Sequence, residues 1–133
     1  MPGFPDGIES PFDELLGLNL TETGPERVAG HLPVSPRLHQ PTGIVHGGVY
    51  ATIVETVASI GATLALGGRG VAVGIDNTTD FLRPVRDGEL RVEGAPVTRG
   101  RSLQLWEVSI ADERGRPVAR GRVRLMNVDA AAQ

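Results

Sequence analysis

The stretch GIVHGGVYATIVETVAS, residues 43–59, places one carboxylate, Glu55, among residues that are mostly apolar or small. From about Gly47 to Leu66 the segment has helical length, contains no proline, and closes on Gly67-Gly68, which suits a C-terminal cap. Its polar residues Thr52, Glu55 or Thr56, Ser59 and Thr63 recur every three or four positions and share a stripe. The remaining circumference is apolar or small, so the helix is expected to be buried on most sides. Val49 to Leu66 approaches the length of a membrane span, but those polar residues interrupt it, and a buried helix with no membrane contact is the expectation.

Working outward, Leu15 to Thr23 and Arg27 to Val34 read as two short strands joined at Gly24-Pro25, and the loop SPRLHQPTG leads from them into the helix. Beyond the helix, Val71 to Leu82, Glu89 to Thr98, Ser102 to Ala111 and Pro117 to Val128 have strand length and are separated by turn clusters. In the last of these, Arg120, Arg122 and Arg124 alternate with small and apolar residues, the period of a sheet with one wet face. Six strands and one helix imply an α+β domain in which an antiparallel sheet wraps the helix. The expected layout is a tail over 1–11, one domain over 12–129 and a short tail over 130–133.

A chain of 133 residues fits one such domain. Its formal charge of −3, with no like-signed block, gives no general attraction to nucleic acid. The absence of cysteine excludes disulfides, thiolate catalysis and cysteine-based metal sites. The N-terminus MPGFPDGIESPF lacks the basic start and apolar run of a signal peptide, so cytoplasmic residence is the default expectation.

A lone helical Glu ordinarily points to solvent. Inside a wrapping sheet it must instead be hydrogen-bonded or partly neutral, and Ser59, at i+4, lies on the same face. That combination suits a nucleophile or a general base. His46-Gly47-Gly48 at the helix start reads either as a tight turn or as a site where free N–H groups at a positive helix end meet a ligand, such as a carbonyl becoming an oxyanion. His31 and His39 fall in a strand and a proline loop and read as structural or solvated. No HExxH spacing, GxSxG elbow, phosphate loop or dinucleotide fingerprint is present, and no metal site is expected.

With PTGIVHGGVYATIVETVAS followed by FLRP and RGRS, the chain resembles the hotdog-fold acyl-CoA thioesterases of the phenylacetate-pathway type, from about Leu15 to Val128. It is similar above all to the branch with a catalytic Glu on the central helix, that of 4-hydroxybenzoyl-CoA thioesterases and the aryl-thioester proofreading enzymes. The resemblance implies that Glu55 attacks the thioester or activates water and that the Gly47 N–H polarises the carbonyl. It further implies that Gln40 and His46 line the thioester end and that Ser59 helps place water. Arg83, Gly100, Arg101 and Ser102 fall where relatives contact the nucleotide or pantetheine part of CoA, which is substrate; no cofactor is implied.

Eight helical residues span about 12 Å, whereas an oxyanion donor and an attacking group must each lie about 3 Å from one carbonyl. If both Gly47 and Glu55 are catalytic, the second comes from another subunit, with two helices antiparallel about a two-fold axis. The resemblance implies the same homodimer with composite sites, often paired as a dimer of dimers. The principal alternative is a non-catalytic acyl-CoA-binding module. Hydratase chemistry is disfavoured because the motifs of those hotdog branches are missing.

Overall fold

In a computed structural model, which describes residues 10–130, the segment Gly47–Leu64 forms an 18-residue helix, α2, preceded by a short helix, α1 (Pro11–Leu16). The strands are β1 (Asn19–Thr23), β2 (Val28–Pro33), β3 (Gly70–Phe81), β4 (Glu89–Arg99), β5 (Leu103–Ala111) and β6 (Pro117–Asp129). They form one antiparallel sheet in the order β1-β2-β4-β5-β6-β3. β1 and β3 are therefore the edges, and α2 packs on strands β2 to β6. This is the α+β hotdog arrangement expected from the sequence.

The helix lies close because glycines clear its path. A Cβ on Gly94 of β4 would fall 2.5 Å from Val57, one on Gly121 of β6 would fall 2.6 Å from Val54, and one on Gly61 of α2 would overlap the Trp106 ring. Ile53, Val54, Val57, Trp106, Val108 and Leu125 are consequently inaccessible to solvent. One polar chain threads this core without leaving a group unpaired. Trp106 Nε1 donates to Gln104 Oε1 (2.9 Å), and Gln104 Nε2 donates to the Ala62 carbonyl and to Asn127 Oδ1 (both 2.9 Å). Asn127 Nδ2 then donates to the carbonyls of Gly100 (3.2 Å) and Arg101 (3.0 Å), which ties the β4–β5 turn to the core.

Strand β3 carries a bulge: Gly74 pairs with Leu125 and Asp76 with Arg124, so Ile75 is an extra residue. Cross-strand partners share a face, so Gly74, Asn77, Thr79 and Phe81 face α2, opposite Leu125, Val123, Gly121 and Ala119. Asp76, Thr78 and Asp80 face outward beside Arg124, Arg122 and Arg120, all three of which are exposed as the wet-face reading requires.

Several sequence expectations need correction. Leu15 and Leu16 belong to α1, and the first strand begins at Asn19. The cause is a capping box: Ser10 Oγ accepts from Asp13 N–H while the Asp13 carboxylate accepts from the Ser10 N–H, Pro11 opens the helix, and Gly17 at φ 87° ends it. The central helix is thus not the sole helix, and it stops at Leu64, capped at Ala65, with Gly67-Gly68 in the turn beyond. The supposed single polar stripe is divided between neighbours. Thr56 donates to Asp13 (2.7 Å) and so docks α1, while Thr63 Oγ1 accepts from the Ala72 N–H (3.0 Å) of β3. The loop before α2 contains a 3-10 turn, Pro36–Leu38. Most of the expected N-terminal tail, residues 1–9, and residues 131–133 of the C-terminal one lie outside the described residues. Although α2 is long and apolar enough to cross a membrane, its apolar side is taken up by the sheet.

Gly61→Ala drives a methyl group into Trp106 and is expected to destabilise the fold by about 1–3 kcal/mol, read as a lower urea midpoint at unchanged slope. Asp13→Ala removes the carboxylate half of the capping box and the anchor of Thr56, with an expected loss of about 1–2 kcal/mol in the same measurement.

Candidate active site

The chain enters α2 through a tightly held loop. Gln40 N–H donates to the Ile44 carbonyl, Val45 N–H to Val85 and His46 N–H to Leu38 (each 2.8 Å). His46 is the N-cap: its Nδ1 accepts the Gly48 N–H at 2.8 Å, and its carbonyl accepts the Val49 N–H. An accepting Nδ1 is an unprotonated one. The Gly47 N–H has no acceptor among the described residues and sits at the positive end of an 18-residue helix. A Cβ on Gly47 would lie 2.7 Å from the ring of the exposed Phe81, so a side chain at position 47 would displace that ring.

Beside this helix start is a cleft of about 460 Å³ whose lining includes Gln40, Gly47, Tyr50, Phe81, Leu82 and Arg83. Gln40 Oε1 accepts from the N–H and the hydroxyl of Thr42 (2.6 and 2.9 Å). Its NH₂ is left without a partner among the described residues, as a second donor at the cleft.

Glu55 lies two turns along α2, half-buried against the edge strand. Asn77 Nδ2 donates to Glu55 Oε1 (3.2 Å) and to the Ala51 carbonyl (3.1 Å), and Asn77 Oδ1 accepts from the Thr79 hydroxyl (2.7 Å). The amide orientation of Asn77 is thereby fixed, and with it one carboxylate oxygen. The other, Oε2, occupies the space where a side chain on Gly74 would be. The carboxylate is hydrogen-bonded, as its enclosure demands, and it is held with lone pairs to spare. Ser59 is on the same face but makes no hydrogen bond among the described residues.

Gln40, Gly47 and Arg83 therefore come together at one cleft, with Glu55 and Ser59 farther along the helix. His46 turns its ring onto Gly48 and borders a different groove, with Phe12, Arg37 and Thr52. Gly100 to Ser102 sit at the opposite end of α2, where Gly100 shares a cleft with Ala65, Leu66 and Arg69. Within one chain they cannot join Arg83 on a single ligand end. His39 Nε2 lies 2.7 Å from the Arg86 carbonyl and His31 is beside Glu89, structural places for both. Sequence reasoning missed Asn77, Gly74, Tyr50 and Phe81. For the three on β3, alternation along VAVGIDNTTDF was the available signal, but the bulge shifts its phase.

The family model described as thioesterase superfamily matches residues 42–119, from the loop before α2 into β6. The Mycobacterium tuberculosis protein Rv1847 is 46% identical over 129 residues, 95% of this chain and 92% of its own length. Its solved structure superposes with a TM-score of 0.89 at 47% identity, covering 91% of this chain and 98% of that one. The proofreading thioesterase EntH of Cronobacter turicensis is 34% identical over 110 residues, 83% of this chain and 80% of its own. The 1,4-dihydroxy-2-naphthoyl-CoA thioesterase 2 of Arabidopsis thaliana is 40% identical over 104 residues, 77% of this chain and 65% of its own. With the sheet-wrapped helix, its free N-terminal amide and its tethered carboxylate all inside or beside the matched span, the chain belongs to the thioesterase superfamily and is a hotdog-fold thioester hydrolase.

Proposed function

We propose that the chain hydrolyses acyl-CoA thioesters, with water, to a free acid and CoA at a site shared by two copies of itself. In this reading the Gly47 N–H of one subunit holds the thioester oxygen and binds it more strongly as negative charge develops there. The free NH₂ of Gln40 is the second donor. Glu55 of the other subunit approaches the carbonyl carbon, as nucleophile or as general base through water, and Ser59 helps place that water. Asn77 aims the carboxylate. His46 serves by capping α2 and so presenting Gly47.

The observation that carries this reading is the position of Glu55: it is tethered beneath an edge strand, about 12 Å along the helix from the free Gly47 amide. Two copies joined with their α2 helices antiparallel bring the amide of one to the acid of the other. The open edge of β3 supports such pairing, as do the exposed side chains of Val73, Ile75 and Phe81 on it. In the same arrangement Arg83 of one subunit and the Gly100–Ser102 turn of the other fall on the same side of the shared bond, where both serve the nucleotide or pantetheine of CoA. An outward apolar stripe of Val73, Met126 and Leu103 is available for a dimer of dimers. The name of the Arabidopsis relative supports an acyl group with an aromatic ring, within the aryl or arylacetyl class.

Glu55→Gln is expected to lower kcat by about 10³-fold while circular dichroism and sedimentation remain those of wild type. Near-normal thiol release by that variant ends the assignment. Turnover per chain is also expected to fall on dilution in step with dissociation of the dimer, followed by sedimentation; an isolated single chain with undiminished turnover rejects the shared site.

A further inference from the structure

Two buried side-chain polar atoms have no hydrogen-bond partner among the described residues: His31 Nδ1, which faces Glu89 across 3.3 Å, and the Tyr50 hydroxyl. Tyr50 is the one that lines the cleft of Gly47. The residue is only 3% exposed, and phenylalanine would fill the same space without an unpaired hydroxyl. Packing therefore gives no reason for the oxygen. Val45 of the core cluster, Leu82 and Pro84 share its cleft, the Phe81 ring stands 6.0 Å away at 41°, and the polar side chains of the same cleft are Gln40 and Arg83. Burial pushes the phenol up to about 12, so it is neutral at physiological pH and able both to donate and to accept.

Position defines what the hydroxyl would meet. Tyr50 follows Gly47 by three residues, one turn along the same helix face, and its side chain enters the core rather than the exposed rim where Arg83 stands. A carbonyl held at Gly47 would direct its acyl substituent along that wall. We propose that Tyr50 is a specificity-determining residue whose hydroxyl pairs with an uncharged oxygen, a hydroxyl or a carbonyl, carried on an otherwise apolar acyl group. This rests on the acyl-CoA reading above. A carboxylate substituent fits poorly at the depth of the hydroxyl, because Arg83, the cationic side chain of the same cleft, stands at its exposed rim. A site built to hydrogen-bond such an oxygen discriminates strongly against the analogue lacking it, since the buried hydroxyl is then left unpaired.

The test measures kcat/KM of the full-length chain and of Tyr50→Phe for matched substrates: benzoyl-CoA against its three monohydroxy isomers, and butyryl-CoA against 3-hydroxybutyryl-CoA. Thermal unfolding of both proteins is recorded alongside. Wild type is expected to prefer at least one hydroxylated member over its parent by tenfold or more. Tyr50→Phe is expected to lose that preference by a similar factor with an equal or higher Tm. Indifference of wild type to every added hydroxyl, or an unchanged preference in Tyr50→Phe whatever its Tm, overturns the inference alone. Failure to hydrolyse any member overturns the acyl-CoA reading and this inference with it.

Discussion

The close seat of α2 on the sheet governs everything built around it. A helix normally stands off a sheet by the length of the side chains between them. Here Gly94 and Gly121 below and Gly61 above let Val57, Val54 and Trp106 reach the opposing backbone. The helix is thereby held in one position, and its first turn and its middle acquire fixed addresses relative to β3. A catalytic group needs this kind of rigid support, since small displacements of a reacting atom are costly. The glycine at position 74 extends the same device to a charged group, because the cleared space there is filled by a carboxylate oxygen of Glu55 instead of a methyl group.

The start of α2 divides its backbone donors with similar economy. Of the first two amides, Gly48 is consumed by the His46 ring and Gly47 is left over. A helix end with every amide capped would have no donor to offer, and one with none capped would fray. The histidine of the HGG sequence thus acts through geometry, ordering the turn that displays its neighbour. Gln40 follows the same logic, since its carbonyl is occupied by Thr42 and only its NH₂ remains to be used.

Legibility from sequence followed the range of the interactions. The central helix, the strand pattern after it and the inward placement of Glu55 were readable because periodicity and turn residues are local signals. The short helix at Pro11–Leu16 was written in Ser10 and Asp13 but was masked by the Leu15 to Thr23 run, which imitates a strand. Asn77 was not readable at all. Its role depends on a pairing register set by β6, more than forty residues later, and on Thr79 and Ala51 converging on its amide. The unpaired hydroxyl of Tyr50 was equally hidden, because only the packed core reveals that nothing answers it. The CoA contacts assigned by resemblance were nominated one by one, but their separation along α2 is a property of the fold.

The bulge at Ile75 fixes which residues of β3 meet the helix. Residues 74 and 77 are three apart, and in an unbroken strand they would lie on opposite faces. The additional residue brings both to the helix side, so one edge strand supplies the hollow for one oxygen of Glu55 and the donor for the other. A slip of β3 by one residue against β6, which straightens the bulge while keeping every residue, would exchange inside for outside over 76–81, turning Asp76, Thr78 and Asp80 toward the helix and Asn77 and Phe81 away. Loss of Ile75 itself would close the bulge and leave those pairings as they are, so this edge strand tolerates a change of length at that spot better than a change of alignment.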